Sequence, residues 1–335
     1  MYGNSFIEIN LSNIINNIIK IRKNIYKDSK LYIVAKSDFY GLGLSTITML
    51  EKYIDGVVIA DFNEFLQVKK DFKKKILILY PNMNEFLLKE FKKNKNIYLT
   101  LICEKNFHLL DKQYFSRIYL RIDLFLGGHG VNFNTAKNLY KRYKFFGVLI
   151  HINEYLTSEE EIELVAIIEW ANSLNLKINI GGSSIINSKK LLGTELELRF
   201  TKIILQPSKK KETISLNSRI LIKNNISTPI SIGYKSDRIK ILKGTILTVG
   251  IGYGDFGFLS YFYENKIPII VEGVKFFLPC YPCMNTFWLH TDIDVNIKTK
   301  YITIFDNMND EILLKLELDE ILTSFSKSIE KKYTN

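Results

Sequence analysis

The stretch VAKSDFYGLG, residues 34–43, decides how this chain is read. LYIVA, residues 31–35, is short, apolar and β-branched, the composition of a buried strand, and Gly41 and Gly43 interrupt the pattern before a new apolar-periodic segment begins. Lys36 therefore stands where a strand ends. A lysine at the C-terminal end of a barrel strand, its stem among apolar neighbours, can lose its proton near neutrality and attack a carbonyl group. The decapeptide alone equally allows a solvated strand-end cation.

Outward from this stretch the same alternation recurs. Residues 6–9 read as a strand, and LSNIINNIIKIRKNI from Leu11 as an amphipathic helix with Asn10 or Ser12 as its N-cap. Further strands are expected at 56–60, 75–80, 97–103, 117–122, 145–151, 176–180 and 198–205, with helices at 63–73, 85–93, 135–143 and 158–174. Ser158 and Glu161 have the spacing of a capping box. Alternation of about eight strands and helices predicts an α/β fold, a (β/α)8 TIM-type barrel, whose active site lies at the strands' C-terminal ends and so on the face of Lys36.

After Gln206 the pattern changes. The connector QPSKKKE, residues 206–212, leads to strands expected at 213–223, 228–232, 244–249, 267–277 and 298–305 without helices between them, then to a short helical or irregular tail from Asp310. The expected organisation is a barrel over residues 1–206 followed by a smaller β-rich domain over 207–335.

The 335 residues exceed one ordinary core, and a hydrophobic content of 47% is ample for a globular protein. The formal charge of +11 is spread through a chain rich in Asn, Ile and Tyr, with no basic stripe interleaved with aromatics, so no nucleic-acid partner is expected. Three cysteines, Cys103, Cys280 and Cys283, fit a reducing compartment. No secretory leader and no membrane-spanning run are read, so a soluble cytoplasmic protein without a membrane partner is expected. Gly252, Gly254 and Gly257 form a GxGxxG without a clear helix after it, a poor dinucleotide site. Cys280 and Cys283 lack a second ligand pair, so no metal site is expected.

With barrel, strand-end lysine and trailing β domain together, the chain resembles the alanine racemases, fold-type III enzymes that use pyridoxal 5'-phosphate. VAKSDFYGLG is similar to their AVKADAYGHG at Lys36, Tyr40, Gly41 and Gly43. FIEINLSNIINNI resembles the family's first strand and helix, and RIYLRIDLFLGGHG, residues 117–130, stands in the place of its KVDTGMGRLG segment. FGVLIHI resembles the segment whose histidine packs on the cofactor ring, which implies that role for His151. GGSSII followed by ELRF implies Ser184 as a phosphate ligand and Arg199 at the pyridine nitrogen. ISIGYK implies Tyr234 as the catalytic tyrosine, and GIGYGDFG implies Tyr253 at the substrate entrance. CMN, residues 283–285, stands where the family has CMD and implies a substrate contact at Met284.

The resemblance implies racemisation of L- and D-alanine, supplying D-alanine for peptidoglycan. Two bases on opposite faces of Cα are then needed, Lys36 for the D face and Tyr234 for the L face. A tyrosine, ordinarily near pKa 10, must sit among positive charges to act as a base near neutrality. Arg199 does not readily give up a proton, so the ring nitrogen stays unprotonated. Ser184, Tyr40 and backbone amides near Thr201 and Lys202 would hold the phosphate. In the family the tyrosine comes from a neighbouring subunit, which implies a head-to-tail homodimer.

Four positions depart from the family. The arginine that holds the substrate carboxylate falls on Gly128, beside His129, and the lysine that braces it is replaced by Arg121. The aspartate after CM is Asn285, and a phosphate-binding tyrosine is Lys327. Without the arginine a bidentate carboxylate clamp is missing, which a backbone amide at Met284 and His129 or Arg121 replaces only in part. The alternatives are a racemase of the same fold acting on serine or lysine, a catalytically degenerate cofactor-binding protein and, as a minor one, a basic nucleic-acid-binding protein.

Overall fold

The computed structural model describes residues 3–124, 127–153, 156–182, 185, 188, 191, 193–206, 212–233, 239–308, 310–313 and 316–335. It divides into two compact units, residues 15–39 with 43–204, and residues 1–14 with 40–42 and 205–335. The chain opens with β1 (Ser5–Asn10) and the helix Leu11–Asn24, whose first turn is capped by Asn10 Oδ1 accepting from the Asn13 amide at 2.8 Å.

The larger unit is a closed parallel barrel of eight strands: β2 (Lys30–Val34), β3 (Gly56–Ile59), β4 (Lys75–Ile78), β5 (Ile97–Leu101), β6 (Ile118–Ile122), β7 (Gly147–His151), β8 (Lys177–Gly181) and β9 (Glu197–Phe200). β9 pairs back onto β2 and closes it. Sequences such as GVVI, KILI and IYLTL are apolar on both sides, as strands covered on both faces must be.

The helices between them start on side-chain caps. Asp61 accepts from Asn63 and Glu64, Asn84 from Leu87 and Asn132 from Thr135, each cap worth about 1 kcal/mol. The capping box lies one residue earlier than expected, on Thr157 and Glu160, because Thr157 is extended (φ −71°, ψ 163°) and Ser158 is already in the first turn.

Inside the barrel Tyr32, Val58, Leu77, Tyr119 and Leu149 form a cluster with Tyr98 and Phe146 against it. Two of its rings need glycines beside them. A Cβ on Gly56 would lie 2.3 Å from the Tyr32 ring, and one on Gly147 2.9 Å from the Tyr119 ring.

The smaller unit is built on a sheet of order β16-β13-β10-β1-β18, with β17 also on β10. Its strands are β10 (Ile214–Ile226), β11 (Ile230–Ile232), β12 (Ile239–Ile241), β13 (Gly244–Val249), β14 (Ile269–Val271), β15 (Val274–Phe276), β16 (Phe287–Thr291), β17 (Tyr301–Asp306) and β18 (Glu330–Thr334). β10 changes partners along its 13 residues, meeting β1 and β17 with its first half and β13 with its second.

Several expected elements are corrected. β1 is not a barrel strand: it pairs antiparallel with β10 and parallel with β18. The strand expected at 198–205 ends at Phe200, and Lys202–Leu205 is a helical turn whose start is tied by Thr201 Oγ1 donating to the Val34 carbonyl at 2.7 Å. The strand at 267–277 is a hairpin, because Glu272 (φ 48°) and Gly273 (φ 82°) supply the two left-handed residues of a tight turn. The tail from Asp310 holds short helices, Asp310–Leu313 and Leu318–Thr323, and then strand β18. A six-residue helix, Leu259–Glu264, does follow the GxGxxG glycines. A Cβ on Gly252 would lie 2.2 Å from the Met284 backbone, so this glycine makes room for a chain crossing. Within the 206–212 connector, residues 207–211 lie outside the described residues. No helix among the described residues is long and apolar enough to cross a membrane.

Candidate active site

The barrel mouth begins where β2 stops. Immediately after Ala35 the backbone enters a left-handed turn: Ser37, Asp38, Phe39 and Tyr40 have φ of 56°, 58°, 52° and 55°, followed by Gly41 at 78° and Gly43 at 88°. Each non-glycine residue held this way costs about 1–2 kcal/mol, so the surroundings must over-determine the turn. They do so with named bonds. The Phe39 amide donates to the Ala35 carbonyl (3.0 Å), Gly43 to the Asp38 carbonyl (2.9 Å) and Leu44 to Asp38 Oδ1 (2.9 Å). Glu64 accepts from the Asp38 amide with Oε1 (3.0 Å) and from the Ala60 amide at the end of β3 with Oε2 (2.7 Å). Phe39 is fully buried. Glu64→Ala is therefore expected to destabilise the protein by about 2 kcal/mol, read as a lower urea midpoint with an unchanged slope.

Lys36, at the head of this turn, is exposed at the mouth and close enough to His151 for its charge to act on the imidazole. Tyr40 is buried at the end of the same turn.

Arg199 on β9 is 4% exposed. Its guanidinium lies across Gly181 of β8, where a Cβ would come within 2.5 Å of Nη2, and Nη2 donates to the Ile150 carbonyl of β7 at 2.6 Å. Nη1 is buried and has no hydrogen-bond partner. Burial first, then the neighbouring Arg121 charge, brings the Arg199 group down to about 9, which still leaves it cationic at neutrality. Arg121, from β6, is 7% exposed, and its Nη1 donates to the Tyr80 hydroxyl at 3.0 Å.

His151 ends β7. Burial first, and then the charges of Arg199, Arg121, Lys36 and His129, hold its imidazole down to about 4. Its side chain keeps exposed surface, and solvent there screens those charges, but the direction leaves a neutral ring at pH 7. Because the folded value lies below the ordinary 6.5, protons favour the unfolded chain. Stability from this group is complete above pH 6.5 and is lost as pH falls toward about 4. NMR titration of His151 in the ligand-free protein should show a midpoint well below 6.5.

Of the residues expected at the site, the structure gathers Lys36, His151 and Arg199 at one end of the barrel, with Arg121 among them. Ser184 and Tyr234 lie outside the described residues. Tyr253 and Met284 belong to the smaller unit, where both are exposed and adjacent strands of chain join them: the Tyr253 amide donates to the Cys283 carbonyl and the Gly254 amide to the Met284 carbonyl, each at 3.0 Å. Gly128 donates its amide to Asp123 Oδ2 at 2.6 Å, and Asn285 and Lys327 are exposed. Sequence reading missed Glu64 and the buried Glu197. Alternation in ELELRF, which puts Glu197 and Arg199 on one face, was the available signal for the second.

An eight-stranded parallel barrel with a cationic, lysine-bearing mouth and a separate β-rich unit defines a barrel protein of two-part architecture. The chain belongs to the alanine racemase family: the family model "Alanine racemase, N-terminal domain" matches residues 9–197, more than half of it. No curated protein matches the sequence. Among solved structures, alanine racemase of Clostridium difficile 630 superposes with a TM-score of 0.83 at 20% identity, over 100% of this chain and 96% of that one. Alanine racemase of Bacillus anthracis with bound L-Ala-P gives 0.80 at 16%, over 100% and 96%. That of Bartonella henselae with covalently bound pyridoxal phosphate gives 0.82 at 17%, over 99% and 100%. At these identities the likeness is one of fold.

Proposed function

We propose that the chain is a pyridoxal 5'-phosphate-dependent amino-acid racemase that interconverts L- and D-alanine and so supplies D-alanine for peptidoglycan. The observation that carries this reading is Arg199: a buried guanidinium on β9, the strand paired with the β2 that Lys36 follows, with its Nη1 left without a hydrogen-bond partner. Such a donor suits an acceptor nitrogen on a bound ring, and the surrounding cations Lys36 and Arg121 suit a phosphorylated, carboxylate-bearing load.

In this reading Lys36 would hold the cofactor through Nζ and Arg199 would offer Nη1 to its ring nitrogen. The neutral His151 ring would pack on that ring, and Ser184, Tyr40 and the amides at Thr201 and Lys202 would take the phosphate. When bound, pyridoxal phosphate supplies an electron sink for the pair left at Cα. Lys36 Nζ takes or returns the Cα proton on the D face and the Tyr234 hydroxyl does so on the L face. Arg121 supplies the cation for the substrate carboxylate that Gly128 lacks, with the Met284 amide as a second donor, and Tyr253 narrows the entrance. Residues 1–206 would be the cofactor-binding part and 207–335 the β-rich part, working as a head-to-tail homodimer in the cytoplasm.

Fitting alanine needs little room, and the glycine-rich turn around Gly128 favours a second reading, a racemase for serine or lysine, by leaving space where a long side chain would stand. The test is to mix the protein with pyridoxal phosphate, record its visible spectrum, and follow Cα deuterium uptake by alanine, serine and lysine in deuterated water. Uptake by alanine above the others supports the first reading. A bound cofactor without exchange on any of the three means a degenerate cofactor-binding protein.

A further inference from the structure

Arg121 is a buried cation that no carboxylate answers. It is 7% exposed, no carboxylate among the described residues forms an ion pair with it, and its one hydrogen bond there is Nη1 donating to the Tyr80 hydroxyl at 3.0 Å. A charge so far out of water is ordinarily paired. Its direction is set by β6: Tyr119, two residues earlier on the strand, belongs to the cluster inside the barrel, so Arg121 leaves on the same inner face. Its level is set by strand pairing. Arg121 lies beside Leu149 and Ile122 beside Ile150 of β7, and the Ile150 carbonyl is the one that accepts from Arg199 Nη2. Both guanidiniums therefore belong to the end of the barrel where Lys36 follows β2.

Tyr80 reaches Arg121 from beyond the end of β4, two strands away. Its backbone is tied down: the Tyr80 amide donates to the Ala60 carbonyl at 2.8 Å, and the Ala60 amide donates to Glu64 Oε2 at 2.7 Å. The Arg121 guanidinium carbon lies 5.8 Å from the centre of the Tyr80 ring, and the residue is 46% exposed. The hydroxyl oxygen is engaged as an acceptor on Arg121, while no described residue accepts its proton. A guanidinium N–H and a phenol O–H side by side are two donors, and a carboxylate offers two acceptor oxygens.

We propose that Arg121 and Tyr80 form a carboxylate clamp in the barrel mouth: an Arg121 N–H and the Tyr80 O–H each donate to an oxygen of the substrate carboxylate, and the Tyr80 oxygen holds the guanidinium in place. The inference rests on the reading of that mouth as an amino-acid racemase site, to which it adds Tyr80 as a substrate-binding residue.

The test divides alanine into its two halves. Propionate carries the carboxylate and no amine, and ethylamine carries the amine and no carboxylate. Each is measured as an inhibitor of racemisation by the pyridoxal phosphate-loaded protein and by its Tyr80→Phe variant, which loses one hydroxyl. Propionate should inhibit the variant about 10-fold more weakly, KM for alanine should rise by a similar factor with kcat held within about 2-fold, and ethylamine should act equally on both. Propionate acting equally on both proteins overturns the proposal. So does an equal weakening of ethylamine, the mark of a general loosening of the mouth. If the unaltered protein exchanges no Cα proton, the functional reading fails, and propionate titration of the cofactor-free protein, followed at the Arg121 Nε–H resonance, still decides the clamp. Saturation at about 10-fold lower propionate in the unaltered protein than in Tyr80→Phe supports it, and equal curves or no response overturn it. Should Tyr80→Phe not fold, Arg121→Lys replaces it in the inhibition measurement: it keeps the cation, loses the planar fork, and should show the same ordering of the two inhibitors.

Discussion

Lys36→Ala is expected to lose the visible absorbance that the unaltered protein develops with pyridoxal phosphate, and its exchange of the alanine Cα proton should fall by at least ~10^3-fold. On the proposed reading two losses combine: the amine that would hold the cofactor and the base on the D face. Fold should survive, because Lys36 is exposed and the left-handed turn behind it is held by bonds from Ala35, Asp38 and Glu64. An unchanged circular dichroism spectrum, together with partial recovery in concentrated methylamine, would assign the loss to the missing amine. Full exchange in this variant would end the reading of the mouth as the catalytic centre.

The second large effect is at Arg199. Arg199→Met removes the unspent Nη1 donor together with the charge, and cofactor affinity should fall about 10- to 100-fold by titration, the scale of one hydrogen bond to a charged group. The same variant carries a signature independent of the cofactor. Arg199 is the first of the charges that hold His151 near 4, so its removal should move the imidazole midpoint upward, toward 6.5, in the ligand-free protein. An upward shift means that acid destabilisation from this group sets in over a narrower window below 6.5. A His151 midpoint that stays in place would show that burial alone sets it.

Much of this was legible in the sequence because parallel barrel strands announce themselves as uninterrupted apolar runs between capped helices. Every strand of the closed barrel overlaps an expected run. Lys36 was legible because it follows such a run, where barrels keep their chemistry, whereas His151 and Arg199 were reached only through the resemblance carried by FGVLIHI and ELRF. What was not legible depends on pairing over long distances or on backbone signs. Nothing in residues 6–9 says that they join β10 and β18 rather than the barrel. Ser37, Phe39 and Tyr40 are ordinary residues in left-handed conformations, and the reason, Glu64 reaching across from another helix, is tertiary. The Glu272–Gly273 turn was passed over because a glutamate rarely takes its first position. Glu197 and Lys75 look like surface charges at strand starts, and only barrel closure turns them inward.

The placement of β1 between β10 and β18 governs how the molecule is assembled in time. A chain made from its amino end presents this strand before the barrel segment, yet both neighbours emerge only after that segment has been made. Until then residues 5–10 are an open template on two sides, capable of recruiting strands from other nascent chains. Such distant pairing is slow to find, whereas each barrel strand meets its successor within a few dozen residues at most. Aggregation through the first strand, rather than misfolding of the barrel, is therefore the hazard during refolding, and holding the protein dilute or bound to a chaperone should raise its yield.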